Sequence, residues 1–240
     1  MTSTHQLRQA VTGLISFAAA EEELLIAALA DRPEDGSPQR WAGLPVVAHN
    51  TEFKRQQVVR LHAVVAGQSP PNFAEVDHSS AALYDSCCLP AADVVGGHRN
   101  TTAALLDALR AVGDEDLLDP GRNDWLGGRL LWLQVVVRGF WHPTGHIGEY
   151  YLSHDQPDRA LRFQELAVAT AAYLEAPEQV EGMAVYNLAC AQARLGHVEA
   201  GLESIRRAVA LNGDLQSNLE RDPDLASLRE SGRLARAVSA

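Results

Sequence analysis

Apolar side chains recur at helical spacing from the first residues of the chain onward. Leu7, Val11, Leu14, Ile15, Phe17, Ala18, Leu24, Leu25 and Leu29 keep one stripe and predict a helix over residues 5–30, with Glu21 to Glu23 on its solvent side. The segment DRPEDGSPQR, rich in breakers, ends it. A second helix is expected over 46–66, led in by Trp41 to Pro45 and closed by Gly67 and the Pro70-Pro71 pair. A long connection then runs from Ser69 to about Arg99, with a short helix near 81–88; connections of this length are usually functional or cross from one end of a bundle to the other. The third helix is expected at 100–113, capped by Asn100 or Thr101 and buried through Leu105, Leu106, Leu109 and Val112. After the turn DEDLLDPGRND, a fourth helix over 128–153 is apolar nearly all round in RLLWLQVVVRGFW, which predicts deep burial. Pro143 interrupts it; without an N–H it leaves the carbonyl of Gly139 free, and a kink is expected there.

From about residue 158 the texture changes to shorter, Ala-rich helices, expected at 158–173, 178–195 and 198–211. The stretch YNLACAQARLGHVEAGLESIRRAVALN resembles a tetratricopeptide repeat, a helix pair with small residues where the helices touch. Gly196 fits its turn, Leu188 and Ala189 the contact in the first helix, and Ile205 and Ala208 the second, while Gly201 replaces the usual Ala. In the same register Ile147, Gly148 and Tyr151 fit an earlier first helix, and Ala160 and Ala167 an earlier second one, so the repeat begins inside the fourth helix. The tail RDPDLASLRESGRLARAV is similar to the helical cap that closes such arrays. The expected organisation is a helical domain over 1–154 and a repeat-like extension over 155–240.

Composition narrows the functions. A hydrophobic fraction of 46% supplies a core, and a formal net charge of -11 disfavours nucleic acid and anionic membranes, both of which need basic surface. No run approaches the apolar length of a membrane span, and the N-terminus lacks the basic start of a signal peptide, so a cytoplasmic protein is expected. Three cysteines, two of them adjacent, do not suggest a disulfide framework. Cys190 lies in an apolar helical run and reads as a small buried hydrophobe. Cys87 and Cys88 lie in the long connection with no base nearby in sequence to activate them.

The candidate chemistry lies in FWHPTGHIGEYY. His142 and His146 are four residues apart, so on a helix both rings face one way. His49, at the start of the second helix, offers a third imidazole, and one ligand plus an HxxxH pair makes a three-nitrogen metal site with open positions. The metalloprotease motif HExxH shares the spacing but carries its general-base Glu directly after the first His; Pro143 stands there and excludes that chemistry. The remaining candidates His62, His78, His98, His154 and His197 have no helical partner at ligand spacing and are expected on the surface.

Four helices, a long crossover, a His at the start of the second helix and HxxxH on the fourth resemble the DinB-like superfamily over residues 5–154. That group includes thiol-dependent S-transferases, mycothiol-dependent maleylpyruvate isomerases, and relatives that open cyclopropane rings of genotoxins. The resemblance implies an all-α fold, a DinB-like four-helix bundle with a tetratricopeptide-like extension. It implies a divalent metal, zinc or nickel, on His49, His142 and His146, and a low-molecular-weight thiol such as mycothiol as co-substrate.

A metal on three imidazoles is a Lewis acid that lowers the pKa of a bound water or thiol, for attack on a small electrophile. Glu149 and Tyr150, one turn beyond His146, are candidates for orienting or proton-carrying roles, or else pack in the repeat. Arg60, on the His49 helix, is a candidate for holding a substrate carboxylate, or else a solvated or salt-bridged surface residue. The leading expectation is therefore a metal-dependent transferase, isomerase or hydrolase acting on a small molecule. The rivals are a scaffold whose repeats bind a protein partner and a protein that sequesters a small toxic metabolite.

Overall fold

In a computed structural model, residues 3–29, 34–73 and 80–238 are described, and among them the architecture is all-α, with a single isolated bridge between Ser37 and Arg40. Residues 30–33 of the first breaker segment and 74–79 of the long connection, His78 included, lie outside the described residues. The chain divides into two compact units, Met1–His146 and Ile147–Ala240. No helix among the described residues is long and apolar enough to cross a membrane.

The first unit contains α1 (Thr4–Leu29), α2 (Gly43–Val65), the short α3 (Ala81–Cys87), α4 (Ala91–Ala111), α5 (Asp114–Leu118) and α6 (Leu131–Val136). A π-helical segment, Val137–Trp141, then leads into α7 (His142–Ser153), within which the boundary between the units falls. The α1 stripe buries Leu7, Val11, Leu14, Ile15 and Ala18 against α2, α4, α6 and the π segment, and α2 packs along α4. Gly139 makes the close approach possible: a Cβ there would lie 2.8 Å from Ile15 Cγ1 and 3.3 Å from Leu105 Cδ2.

Three expectations about this unit need correction. The helix expected at 100–113 starts at Ala91, because Gly96 and Gly97 do not break it; a Cβ at Gly97 would face Thr51 of α2 at 3.9 Å, and Val94 and His98 continue the buried stripe of Leu105 and Leu109. His98 is therefore buried, not on the surface. Glu22 is buried as well: it pairs with fully buried Lys54, the only lysine of the chain, and its Oε2 lies 3.5 Å from His98 Nδ1. A carboxylate inside an apolar stripe is tolerated here because a cation from the neighbouring helix meets it.

Pro143 is accommodated by the π segment directly before it. The N–H of His142 reaches back five residues to Val137 O, so the wider turn takes up the strain that a proline ring would otherwise impose on the preceding carbonyls.

The second unit contains the rest of α7 with α8 (Pro157–Tyr173), α9 (Glu178–Arg194), α10 (Val198–Leu211), α11 (Ala226–Glu230) and α12 (Leu234–Val238). α9 packs against both α8 and α10. Three successive helices end in the same way: Gln156 N–H donates to Tyr151 O, Ala176 N–H to Ala171 O and His197 N–H to Gln192 O. Each of these bonds closes a turn through a left-handed residue, respectively Asp155 (φ 55°), Glu175 (φ 50°) and Gly196 (φ 74°), the Schellman arrangement. His154, expected on the surface, is buried in the first of these turns with Nδ1 2.8 Å from Tyr150 O. His62 and His197 are exposed.

Candidate metal centre

His49 sits in the second turn of α2, and His142 and His146 open α7, one helical turn apart on the same side. The three rings converge. Their centroids lie 5.0 Å apart for His49 and His142, 4.8 Å for His49 and His146, and 4.3 Å for His142 and His146. One ring nitrogen from each lies within 4.8 Å of the others, and the Nε2 atoms of His49 and His142 are 3.1 Å apart. Two nitrogens sharing a tetrahedral zinc-like ion would be separated by about 3.3 Å. The donor set, three imidazoles with His49 buried and the other two half-buried, therefore fits a borderline divalent ion and could hold one.

Aromatic side chains fix the rings. Phe53, one turn after His49, stacks on His142 at 4.0 Å with planes 15° apart, and it lies 4.8 Å from His49. Trp41 meets His49 edge-on at 5.4 Å and Tyr84 of α3 at 5.3 Å. A cavity of about 430 Å³ opens beside His49 and Phe53 and is lined also by Thr51, Glu52, Cys87 and Val94. Cys87 is buried there, and burial pushes its thiol pKa up, which disfavours the thiolate a nucleophile needs. Cys88 is exposed.

Arg60 is not a surface residue. It is 7% exposed, its guanidinium carbon lies 5.0 Å over the Phe73 ring and 5.6 Å over Trp125, and it makes no ion pair among the described residues. Burial lowers its pKa. Arg138, in the π segment, places its guanidinium carbon 4.4 Å over the Phe53 ring. Burial and then the like charge of Arg60 lower its pKa to about 10. Sequence reasoning missed Phe53 and Arg138. The available signal was their spacing, since Phe53 follows His49 by four residues and Arg138 precedes His142 by four.

Glu149 and Tyr150 have partners within the second unit. Glu149 is exposed and pairs with Arg194, while Tyr150 is buried and stacks on His154 at 4.2 Å. A second group there, Cys190, Asp222 and Asp224, also has metal-ligand spacing. Its donors are already engaged: Asp222 accepts from the Tyr186 hydroxyl at 2.8 Å and from the backbone N–H of Asp224 at 2.9 Å. Burial, ahead of the nearby carboxylates, raises the Cys190 thiol well above its ordinary pKa, against thiolate ligation.

No known protein family, curated protein or solved structure matches the chain.

Proposed function

We propose that the first unit is a DinB-like four-helix bundle carrying a divalent metal, zinc or nickel, on His49, His142 and His146. We propose further that the protein is an enzyme directing an external thiol or a water onto a small electrophile, as a transferase, isomerase or hydrolase. The observation that carries this reading is the convergence of three imidazoles from two helices at ligand spacing, kept intact across Pro143 by the π segment. When bound, the metal supplies Lewis acidity that brings the pKa of a coordinated water or thiol toward neutrality.

The chain's own residues do the rest. Phe53 and Trp41 hold the rings in place and exclude water from their faces. Arg60 is the candidate for orienting an acidic substrate. Glu149 and Tyr150 are retained as candidates for positioning and proton transfer, although their present partners also suit a packing role. The second unit is read as a tetratricopeptide-like extension on the strength of its three identical helix-ending turns, and it is the candidate surface for a protein partner.

The test is turnover of a panel of epoxides, cyclopropanes and unsaturated acids by metal-loaded protein, with and without a low-molecular-weight thiol. Activity should disappear in His146→Ala and survive in Cys87→Ser and Cys88→Ser, because the nucleophile is external. Acceleration that needs the thiol identifies a transferase or isomerase; acceleration without it identifies a hydrolase. Activity that persists in metal-free protein and vanishes in Cys87→Ser would overturn the reading.

A further inference from the structure

In a chain with 31 acidic and 20 basic side chains, exposed arginines find carboxylates readily: Arg55 pairs with Glu52, Arg99 with Glu23 and Arg206 with Glu203. Arg60 and Arg138, on the two helical stretches that carry the histidines, do not. Nε and Nη1 of Arg60 and Nε of Arg138 are buried without an acceptor, and neither side chain has a carboxylate partner among the described residues. Gln57, one turn before Arg60 on α2, likewise buries an amide with neither end hydrogen-bonded. Buried donors of a cation left without an acceptor are costly, and the like charge of a second guanidinium adds to that cost; Arg60 is buried and Arg138 half-buried. Such an arrangement is expected where a ligand supplies the missing charge.

Position ties the pair to the histidines. His49, Phe53 and Arg60 fall on one stripe of α2, and helical side chains lean toward the N-terminus, so Arg60 reaches back along that stripe. Arg138 precedes His142 by one turn and covers the Phe53 ring that stacks on His142. Phe53 thus touches both a guanidinium and an imidazole of the histidine cluster. Phe73 and Trp125 hold the Arg60 guanidinium as an aromatic clamp, which fixes its fork for bidentate contact with an oxyanion.

We propose that Arg60 and Arg138 form an oxyanion anchor beside the histidine cluster, and that the substrate is a small acid whose carboxylate or phosphoryl group seats on both guanidiniums with its reacting carbon toward the histidines. The part concerning the reacting carbon rests on the metal-centre reading; the anchor itself does not.

The experiment uses the full chain, first stripped of metal with chelator and then loaded with zinc. Succinate and inorganic phosphate are titrated calorimetrically at low chloride, with neutral succinamide as control, into wild type, Arg60→Gln, Arg138→Gln and the charge-retaining Arg138→Lys. At least one anion should bind metal-free wild type and raise its melting temperature, and succinamide should do neither. Arg60→Gln and Arg138→Gln should each weaken the anion at least about tenfold, and Arg138→Lys severalfold, because the fork is lost although the charge remains. Binding of succinate alone identifies a carboxylate substrate, and of phosphate alone a phosphoryl one.

Ligand-free Arg60→Gln and Arg138→Gln should melt at or above wild type, since each removes a cation with buried, unsatisfied N–H groups, Arg60 buried and Arg138 half-buried; arginines with a structural role would lower it. Failure of both anions to bind, binding indifferent to all three substitutions, or variants that melt well below wild type would overturn the anchor. Arginine-dependent anion binding in a protein that takes up no zinc keeps the anchor and removes the metal reading. Zinc uptake at the histidines with no anion binding removes the anchor alone.

Discussion

At the scale of single residues, the interior of the first unit holds charged side chains as well as apolar ones. Glu22, Lys54 and His98 meet in one buried cluster, and Arg60 lies buried further along the Lys54 helix. None of this was legible in the sequence. Glu22 sits within a run of three glutamates that reads as a solvent face, and His98 follows a Gly-Gly pair that reads as a break. Periodicity assigns a residue to a face of its own helix, but only the neighbouring helix shows whether a charge on that face has a partner. The cluster has a consequence for pH. Burial, the largest cause, lowers the pKa of His98 below its usual 6.5, against the raising influence of Glu22. The unfolded chain then binds a proton that the folded one resists, so His98 opposes folding as pH falls below about 6.5. Chemical denaturation of wild type and His98→Gln at a series of pH values should show wild type losing more stability than the variant between about pH 7.5 and 5.5. Parallel pH profiles would mean that His98 protonates as easily in the folded state as in the unfolded.

At the scale of elements, apolar periodicity located nearly every long helix, and the bounds moved most at the start of α4, where a Gly-Gly pair does not break the helix. The expected second helix gains its first turn from Gly43, and Pro45 is tolerated in that turn because its missing N–H would have no helical acceptor there. The expected fourth helix is broken into α6, the π segment and α7, since a proline in mid-helix must be absorbed by a change in the hydrogen-bond ladder. In the second unit the three left-handed turns set where each helix stops. Gly196 can take that conformation without cost, and a Cβ there meets nothing within 4 Å, so the effect of a substitution is conformational alone. Gly196→Ala should destabilise the protein by about 1 kcal/mol. Glu175→Gly, at the equivalent turn, should be neutral or stabilising by up to about 1 kcal/mol, because a non-glycine residue already bears the strain. Paired urea titrations read both; a Gly196→Ala variant as stable as wild type would show that this turn does not need its left-handed residue.

At the scale of the whole molecule, one site draws together features that lie far apart in sequence. His49 is separated from His142 by 93 positions, yet their ring nitrogens are 3.1 Å apart. The HxxxH pair was legible because helical spacing alone puts two rings on one face, and its third member was offered by its place at the start of another helix and reinforced by resemblance to a known ligand pattern. Phe53 and Arg138 stand four residues from a histidine, but that spacing alone does not distinguish a ring support from ordinary core. The central claim is that these three histidines hold a metal, and calorimetric titration of zinc into chelator-treated full-length protein tests it directly. Wild type should take up one equivalent, and His49→Ala, His142→Ala and His146→Ala should each weaken it about 100-fold or more, since two imidazoles are too few to keep a labile ion. No uptake, or uptake unchanged in all three variants and lost in Cys190→Ser, would contradict the account.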